Sequence, residues 1–357
     1  MFREATPLFL ICETPLHAGS GNDLGVIDLP IQRERHTSFP KIEGSSLKGS
    51  LREAFEDKHT DPDNRKKIHL AFGFDEKTPE DESIKNHFKN DNDKQFQGAL
   101  GFTDARLLLF PVKSMKGVFA WITCKKVLEQ FKRDMLVAKI SVEKTVGNQP
   151  KHQLLDEIPT PSQDSALLSS ENLIVNQKAA QDKKSIVLEE YSFKADRADD
   201  NVKLLALWLA EKIFPNPPDT PDKRSFWYNH LVDHLVVLPN EDFTDFVNLS
   251  TEVITRTKIN NETGTVQEGA LFTEEYLPSE SVLYSLSLFS PIFHNKTVKS
   301  IFIEGKTQLK EESQSLFETR IVREFFETTI QQLQIVQIGG NATLGKGLVR
   351  TIVLGGQ

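Results

Sequence analysis

The stretch "GGNATLGKG", residues 339–347, decides which fold class the chain can adopt. From Gly340 it runs G-x-x-x-x-G-K-G, one residue short of the phosphate-binding P-loop G-x-x-x-x-G-K-[ST]. A P-loop joins a strand to a following helix, and its last hydroxyl holds Mg²⁺. Here the order is reversed. Upstream, "ESQSLFETRIVREFFETTIQQL" (312–333) has helical spacing, with Phe317, Ile321, Phe325 and Ile330 or Leu333 on one face. Downstream, "GLVRTIVL" (347–354) is β-branched and strand-like, and Gly347 stands where the hydroxyl belongs. The three requirements fail together, which argues against an NTPase. A helix-to-strand turn explains some of the glycines. Four glycines beside Lys346 and Arg350 exceed that need and suit a backbone that closely approaches a polyanion.

Working outward, "TPLFLICETPL" (6–16) has strand composition, followed by a glycine-rich loop (17–25) and a strand-like "VIDLPIQRE" (26–34). "EGSSLKGSLREAFEDK" (43–58) predicts a helix capped by Ser45 or Ser46, with Leu47, Leu51 and Phe55 on its buried face. Strands are expected within 98–112, 117–126 and 185–195, and helices at 126–136, 201–214 and 240–247, the last capped by Asn240. Residues 252–278 form two extended arms that meet at "NNETG", a hairpin turn composition. The polar stretch 57–97, with a short helix near "IHLAFGF", and the stretch 140–185 read as insertions. Strands and helices mix without regular βαβ alternation. This predicts an α+β fold in a single domain, 1–357, with strand–helix–strand–strand–helix–strand order as its core.

The totals exclude several functions. Across 357 residues, 43 basic side chains meet 51 acidic ones, so the chain lacks the overall basic signature of a nucleic-acid binder. Any such binding must be local. Cys12 and Cys124 stand far apart with no CxxC, which indicates neither a zinc site nor a disulfide framework. The apolar run "PLFLIC" is too short for a signal or membrane segment, so a cytoplasmic protein is expected.

A local basic stripe does exist between Ile31 and Arg52. There Arg33, Arg35, Lys41, Lys48 and Arg52 face only Glu34 and Glu43. Lys48 and Arg52 stand at i and i+4, on one face of the predicted helix. Gly44, Ser45 and Ser46 at its start would point backbone N–H groups outward, a ready anion site. Asp23, beside Asn22 and Gly21, reads as a turn residue. Asp28 does not: it sits between Ile27 and Leu29 with no turn to make, so its carboxylate should be paired or chemically active. His17 reads equally as a structural histidine or as a proton-transfer group.

Four blocks resemble the RAMP superfamily: "TPLHAGSGNDLGVIDLPIQRERHTSFPKIEGSSLKGSLRE" (14–53), "FTDARLLLFPVKSMKGVFAWIT" (102–123), "GALFTEEYLP" (269–278) and "GGNATLGKGLVR" (339–350). Within it they are similar to the repeated backbone subunits of type III-B CRISPR (Cmr) effector complexes. The resemblance implies an RRM/ferredoxin-like palm with inserted finger regions and a β-hairpin thumb at about 252–278. It implies copies of the chain stacked in a filament along a crRNA guide, with other Cmr subunits as partners. The thumb would part the guide–target duplex at regular intervals, and the target RNA would be cut there.

The resemblance places the catalytic aspartate at Asp28, with Glu274, Glu275 and Tyr276 of "TEEYLP" as helpers. The RNA-binding set would be Arg33, Arg35, Gly44, Ser45, Ser46, Lys48, Arg52, Gly339, Gly340, Asn341, Lys346 and Arg350. In the thumb, Arg256 and Lys258 are outnumbered by five glutamates. A wedge of Leu271 or Phe272 packs against bases and needs no phosphate attraction. RNA carries its own nucleophile, the 2′-OH, so a single carboxylate such as Asp28 suffices to hold hydrated Mg²⁺ or Mn²⁺ at the phosphate. The alternatives are a catalytically inactive filament subunit and a guide-processing RAMP endonuclease.

Overall fold

The computed structural model describes residues 2–22, 25–75, 82–88, 95–144, 152–176, 184–195, 197–215, 224–294, 296–310 and 312–354. Asp23 lies outside the described residues, as do parts of the 57–97 and 140–185 stretches. In chain order the main elements are β1 (Glu4–Cys12), α1 (Gly44–Lys58), α2 (Pro62–Phe72), β2 (Leu100–Phe102), β3 (Ala105–Lys113) and β4 (Phe119–Cys124). There follow α3 (Lys125–Val137), α4 (Asp200–Ile213), α5 (Phe226–His234), β5 (Leu235–Leu238), α6 (Asn240–Leu249), β6 (Glu252–Ile259) and β7 (Val266–Tyr276). The chain closes with β8 (Val282–Phe289), α7 (Gln314–Leu333), β9 (Ile335–Gln337) and β10 (Leu348–Val353). Where the sequence reads as one domain, the contacts group into two compact units.

The first unit comprises Met1–Leu10, Ile42–Ala105 and Tyr284–Gln357. Its sheet runs β2–β8–β1–β10–β9, with Phe289 of β8 antiparallel to Leu100 of β2 and Gln337 of β9 antiparallel to Leu348 of β10. The chain order β1–α1–β2–β8–α7–β10 is the β-α-β-β-α-β arrangement of a ferredoxin-like palm, with β9 added at one edge. α1 buries Leu47, Leu51 and Phe55, as its spacing predicts. Phe55 stacks on Phe326 of α7, with ring centroids 5.8 Å apart. The buried stripe of α7 is Phe317, Ile321, Val322, Phe326 and Ile330, so Phe326 takes the core position expected of half-buried Phe325. Each such side chain contributes roughly 1.5–3 kcal/mol by leaving water.

The capping differs from expectation. The N-cap of α1 is Glu43, which makes no side-chain cap bond, and Ser45 and Ser46 lie inside the first turn. Asp104 takes the capping role from a distance: its Oδ1 accepts the Gly44 N–H at 2.9 Å. A Cβ on Gly44 would stand 2.7 Å from the Phe102 carbonyl oxygen, so only glycine permits this close seating. Asn240 is likewise helical, with Pro239 at the N-cap of α6.

The second unit comprises Ile11–Lys41 and Arg106–Leu283. β3 and β4 pair antiparallel, with Phe110 opposite Ile122, and β5 runs parallel to β4. The hairpin of β6 and β7 places Arg256 opposite Phe272 and Thr255 opposite Thr273, and shifts register between Thr257 and Ile259. Its turn holds Gly264 at φ 68°, and the Asn260 side chain accepts from Glu262 N at 2.8 Å. Strand alternation sets Leu271, Thr273 and Glu275 on one face and Phe272, Glu274 and Tyr276 on the other.

Candidate active site

The C-terminal end of β7, Thr273-Glu274-Glu275-Tyr276, organises the second unit's charged cluster. Its outer edge is covered by the segment around Asp28. Leu29 N donates to Thr273 O and Glu275 N donates to Leu29 O, both at 3.0 Å. Farther along, Leu16 and Leu277 exchange both backbone bonds at 2.9 Å. An open strand edge is thereby satisfied by a loop, and Asp28 is carried on that loop.

Asp28 is exposed. Its Oδ2 accepts from Thr273 N at 2.7 Å and from Thr273 Oγ1 at 2.9 Å, while its own N–H donates to Thr273 Oγ1 at 3.0 Å. The bonds from the Thr273 amide and hydroxyl hold the carboxyl below its ordinary pKa, so it stays ionised. Both bonds from Thr273 fall on Oδ2. Oδ1 is left as the oxygen that can meet a ligand.

His17 is half-buried, with Nδ1 2.7 Å from Glu275 O. A carbonyl only accepts, so Nδ1 donates, and Nε2 is the ring nitrogen left for a proton to come and go. A Cβ at Gly19 would come within 2.8 Å of Nε2, so glycine keeps that nitrogen accessible. The His17 ring packs on Tyr276 with centroids 5.5 Å apart.

The remaining "TEEY" side chains turn inward. Tyr276 is fully buried; its hydroxyl donates to Glu274 Oε2 at 2.7 Å and accepts from Arg256 at 2.7 Å. Arg256 also pairs with Glu274, which is 5% exposed. Burial raises the Tyr276 pKa, so the phenol keeps its proton. Glu275 is 2% exposed and pairs with Arg33. Arg33 also donates to Ser38 O at 2.7 Å, Val247 O at 3.1 Å and Asn248 Oδ1 at 2.9 Å. Arg33, read as an RNA contact, is therefore half-buried and serves as the counter-ion of Glu275. Arg35 and Lys258 are exposed and, among the described residues, engage no hydrogen bond or ion pair. Leu271 is 65% exposed and Phe272 half-buried on the opposite face, so Leu271 is the more accessible wedge.

In the first unit, Lys48 Nζ donates to Leu100 O at 2.9 Å, and burial, followed by the neighbouring Arg52 charge, lowers its pKa. Arg52 is committed internally. It pairs with Glu56 at 2.7 Å and donates to Gly73 O at 3.1 Å and His69 Nδ1 at 3.0 Å. The i, i+4 stripe thus supplies one half-buried ammonium, at Lys48, and one guanidinium with three internal partners, at Arg52.

α1 packs on β9, which leads into the glycine loop. There Gly339, Asn341, Gly345 and Gly347 all have positive φ. A Cβ on Gly347 would stand 2.1 Å from Ile338 O, a position no other residue fits. Gly339, Gly340 and residues 342–345 are exposed, with Lys346 and Arg350 half-buried beside them. A strand, β10, follows the loop in place of the helix a P-loop needs.

Residues 9–350 match the RAMP superfamily. The chain is a member of that superfamily. It is 34% identical over 338 residues to the CRISPR system Cmr endoribonuclease Cmr4 of Pyrococcus furiosus, covering 94% of this chain and 91% of that protein. The crystal structure of oligomeric Cmr4 from the same organism superposes with a TM-score of 0.59 at 27% identity, covering 98% of this chain and 97% of that one. A chain of a type III-B Cmr-beta complex bound to cognate target RNA has the same fold, with a TM-score of 0.61 at 21% identity over 99% of this chain and 98% of that one. Like these RAMP chains, this one carries a palm. Among the described residues no helix is long and apolar enough to cross a membrane.

Proposed function

We infer that the chain is a guide-RNA-binding backbone subunit of a type III-B CRISPR effector filament, and that it cleaves complementary target RNA at regular intervals. The observation that carries this reading is Asp28: an exposed, ionised carboxylate pinned by Thr273 to the edge of a two-stranded hairpin. The relative from Pyrococcus furiosus, named a Cmr endoribonuclease, supports the same reaction class. Its partners would be crRNA, target RNA, further copies of itself and other Cmr subunits, in the cytoplasm.

The chemistry follows from the groups present. The 2′-OH attacks the adjacent phosphorus and gives its proton to a base, the P–O5′ bond breaks to leave a 2′,3′-cyclic phosphate, and the departing 5′-oxygen takes a proton from water. His17 Nε2 is the ring nitrogen left to take the 2′-OH proton. Among the described residues no three His, Cys, Asp or Glu side chains gather into a metal site, and Glu274 and Glu275 are held by arginines. The Asp28 carboxylate fits Mg²⁺ or Mn²⁺, which take few protein ligands and complete their shell with water and phosphate oxygens. Such an ion would neutralise charge on the phosphate. Glu274 and Tyr276, both buried, would act by holding β7 and the His17 ring in place.

The test is target cleavage by the reconstituted complex with Mg²⁺ or Mn²⁺ and with chelator. Regularly spaced cuts only with metal are expected. Regular cuts in chelator would remove the metal, and no cuts in either condition would favour a structural filament subunit. For guide binding, Lys48→Ala and Lys346→Ala should each weaken RNA affinity and reduce the salt slope by about one. Unchanged slopes in a salt titration would exclude both lysines from the phosphate path.

A further inference from the structure

We propose that Thr273 is the positioning residue of the cleavage site, latching the Asp28 carboxylate to the hairpin that carries the exposed Leu271. The inference rests on Asp28 being the catalytic carboxylate, as argued above.

The latch is reciprocal. One hydroxyl, Thr273 Oγ1, accepts from Asp28 N at 3.0 Å and donates to Asp28 Oδ2 at 2.9 Å, while Thr273 N donates to the same oxygen at 2.7 Å. A carboxylate on an exposed loop would otherwise sample several rotamers. Two bonds to Oδ2 select one of them, and the third anchors the Asp28 backbone to the same hydroxyl.

The backbone explains why position 273 can do this. Thr273 O accepts from Leu29 N, so both the N–H and the C=O of Thr273 face the Asp28 segment. Thr255 and Thr273 must therefore form a non-hydrogen-bonded pair of the hairpin ladder, whose polar groups are left for an outside partner. Side-chain alternation puts Leu271 on the same face as Thr273, about 7 Å along the strand.

The carboxylate is consequently held to the same strand that carries the apolar wedge. Wherever the wedge enters the duplex, the carboxylate is delivered at a fixed offset from it. A threonine at this place links cutting to duplex opening.

The experiment compares wild type, Asp28→Asn, Thr273→Val and Thr273→Ser in the assembled, guide-loaded complex. It measures target affinity and the single-turnover rate at saturating target. Valine keeps the shape, the β-propensity and the backbone N–H bond but removes both hydroxyl bonds. Loss of hydrogen bonds to a charged group should slow cleavage about tenfold to a hundredfold at unchanged target affinity. Thr273→Ser, which restores the hydroxyl, should recover most of the rate. If Asp28→Asn is inactive while Thr273→Val cuts at the wild-type rate, or if serine is as impaired as valine, the latch is overturned. If Asp28→Asn itself cuts normally, the functional reading fails first and the latch falls with it.

Discussion

Glu275→Ala should lower the stability of the second unit by about 3–5 kcal/mol, the range for removing one partner of a buried ion pair. Glu275 is 2% exposed, and its Oε1 meets both the Arg33 guanidinium and Thr251 Oγ1, the latter at 2.8 Å. Its Oε2 accepts from Ile31 N at 3.0 Å. Alanine leaves a guanidinium, an amide and a hydroxyl without their acceptor in a space that water reaches poorly. Arg33 keeps its bonds to Ser38, Val247 and Asn248, but these are neutral acceptors and do not offset its charge. Glu275→Gln retains an acceptor oxygen and should lose less. Denaturant midpoints with an unchanged m-value would report the difference. A shift under about 0.5 kcal/mol for alanine would mean that the pair is solvated and does not hold the strand.

The same pair shows where a sequence stops being readable. Arg33 belongs to a run of basic residues, and a run of basic residues in an acidic chain suggests a phosphate path. Its partner lies 242 residues away, and no local pattern announces it. Arg52 misleads in the same way: helical spacing puts it beside Lys48, but Gly73 and His69 occupy its donors. Thr273 was invisible for a related reason, since its link to Asp28 spans 245 residues. Asp28 was legible because it broke a local rule, a carboxylate in an apolar stretch with no turn to make. The structure gives it a partner and leaves it exposed.

The palm was legible where period and composition agree. The stripe of α1, the arms of the hairpin and the strand after the glycine loop all follow their spacing, and that of α7 does so except that Phe326 replaces Phe325. β8, "VLYSLSLF", gave no clear sign of being a central palm strand. Tyr284 to Leu288 alternates apolar and polar residues as a strand with a solvent face would, yet Ser285 and Ser287 are both fully buried. Ser285 Oγ instead donates to Thr103 O at 2.7 Å, a satisfied hydroxyl inside the core. Helix caps were missed because α1 is capped by Asp104, sixty residues downstream, rather than by either nearby serine.

The second large effect concerns chemistry. Asp28→Asn keeps the volume of the side chain and an oxygen that can accept from Thr273, so the loop should stay on the strand edge. What it removes is the negative charge, and with it the hold on the divalent ion proposed at the scissile phosphate. Electrostatic contributions of this kind are worth on the order of a hundredfold or more in rate. Guide binding should not change, because the glycine loop and Lys48 belong to the first unit and contain no part of this carboxylate. The decisive measurement is therefore single-turnover cleavage of a matched target RNA by complexes assembled with wild-type or Asp28→Asn subunits, with guide and target affinities measured alongside. Equal affinities are expected, with cleavage slowed at least about a hundredfold at every regularly spaced position. Wild-type cleavage by the Asp28→Asn complex would contradict it.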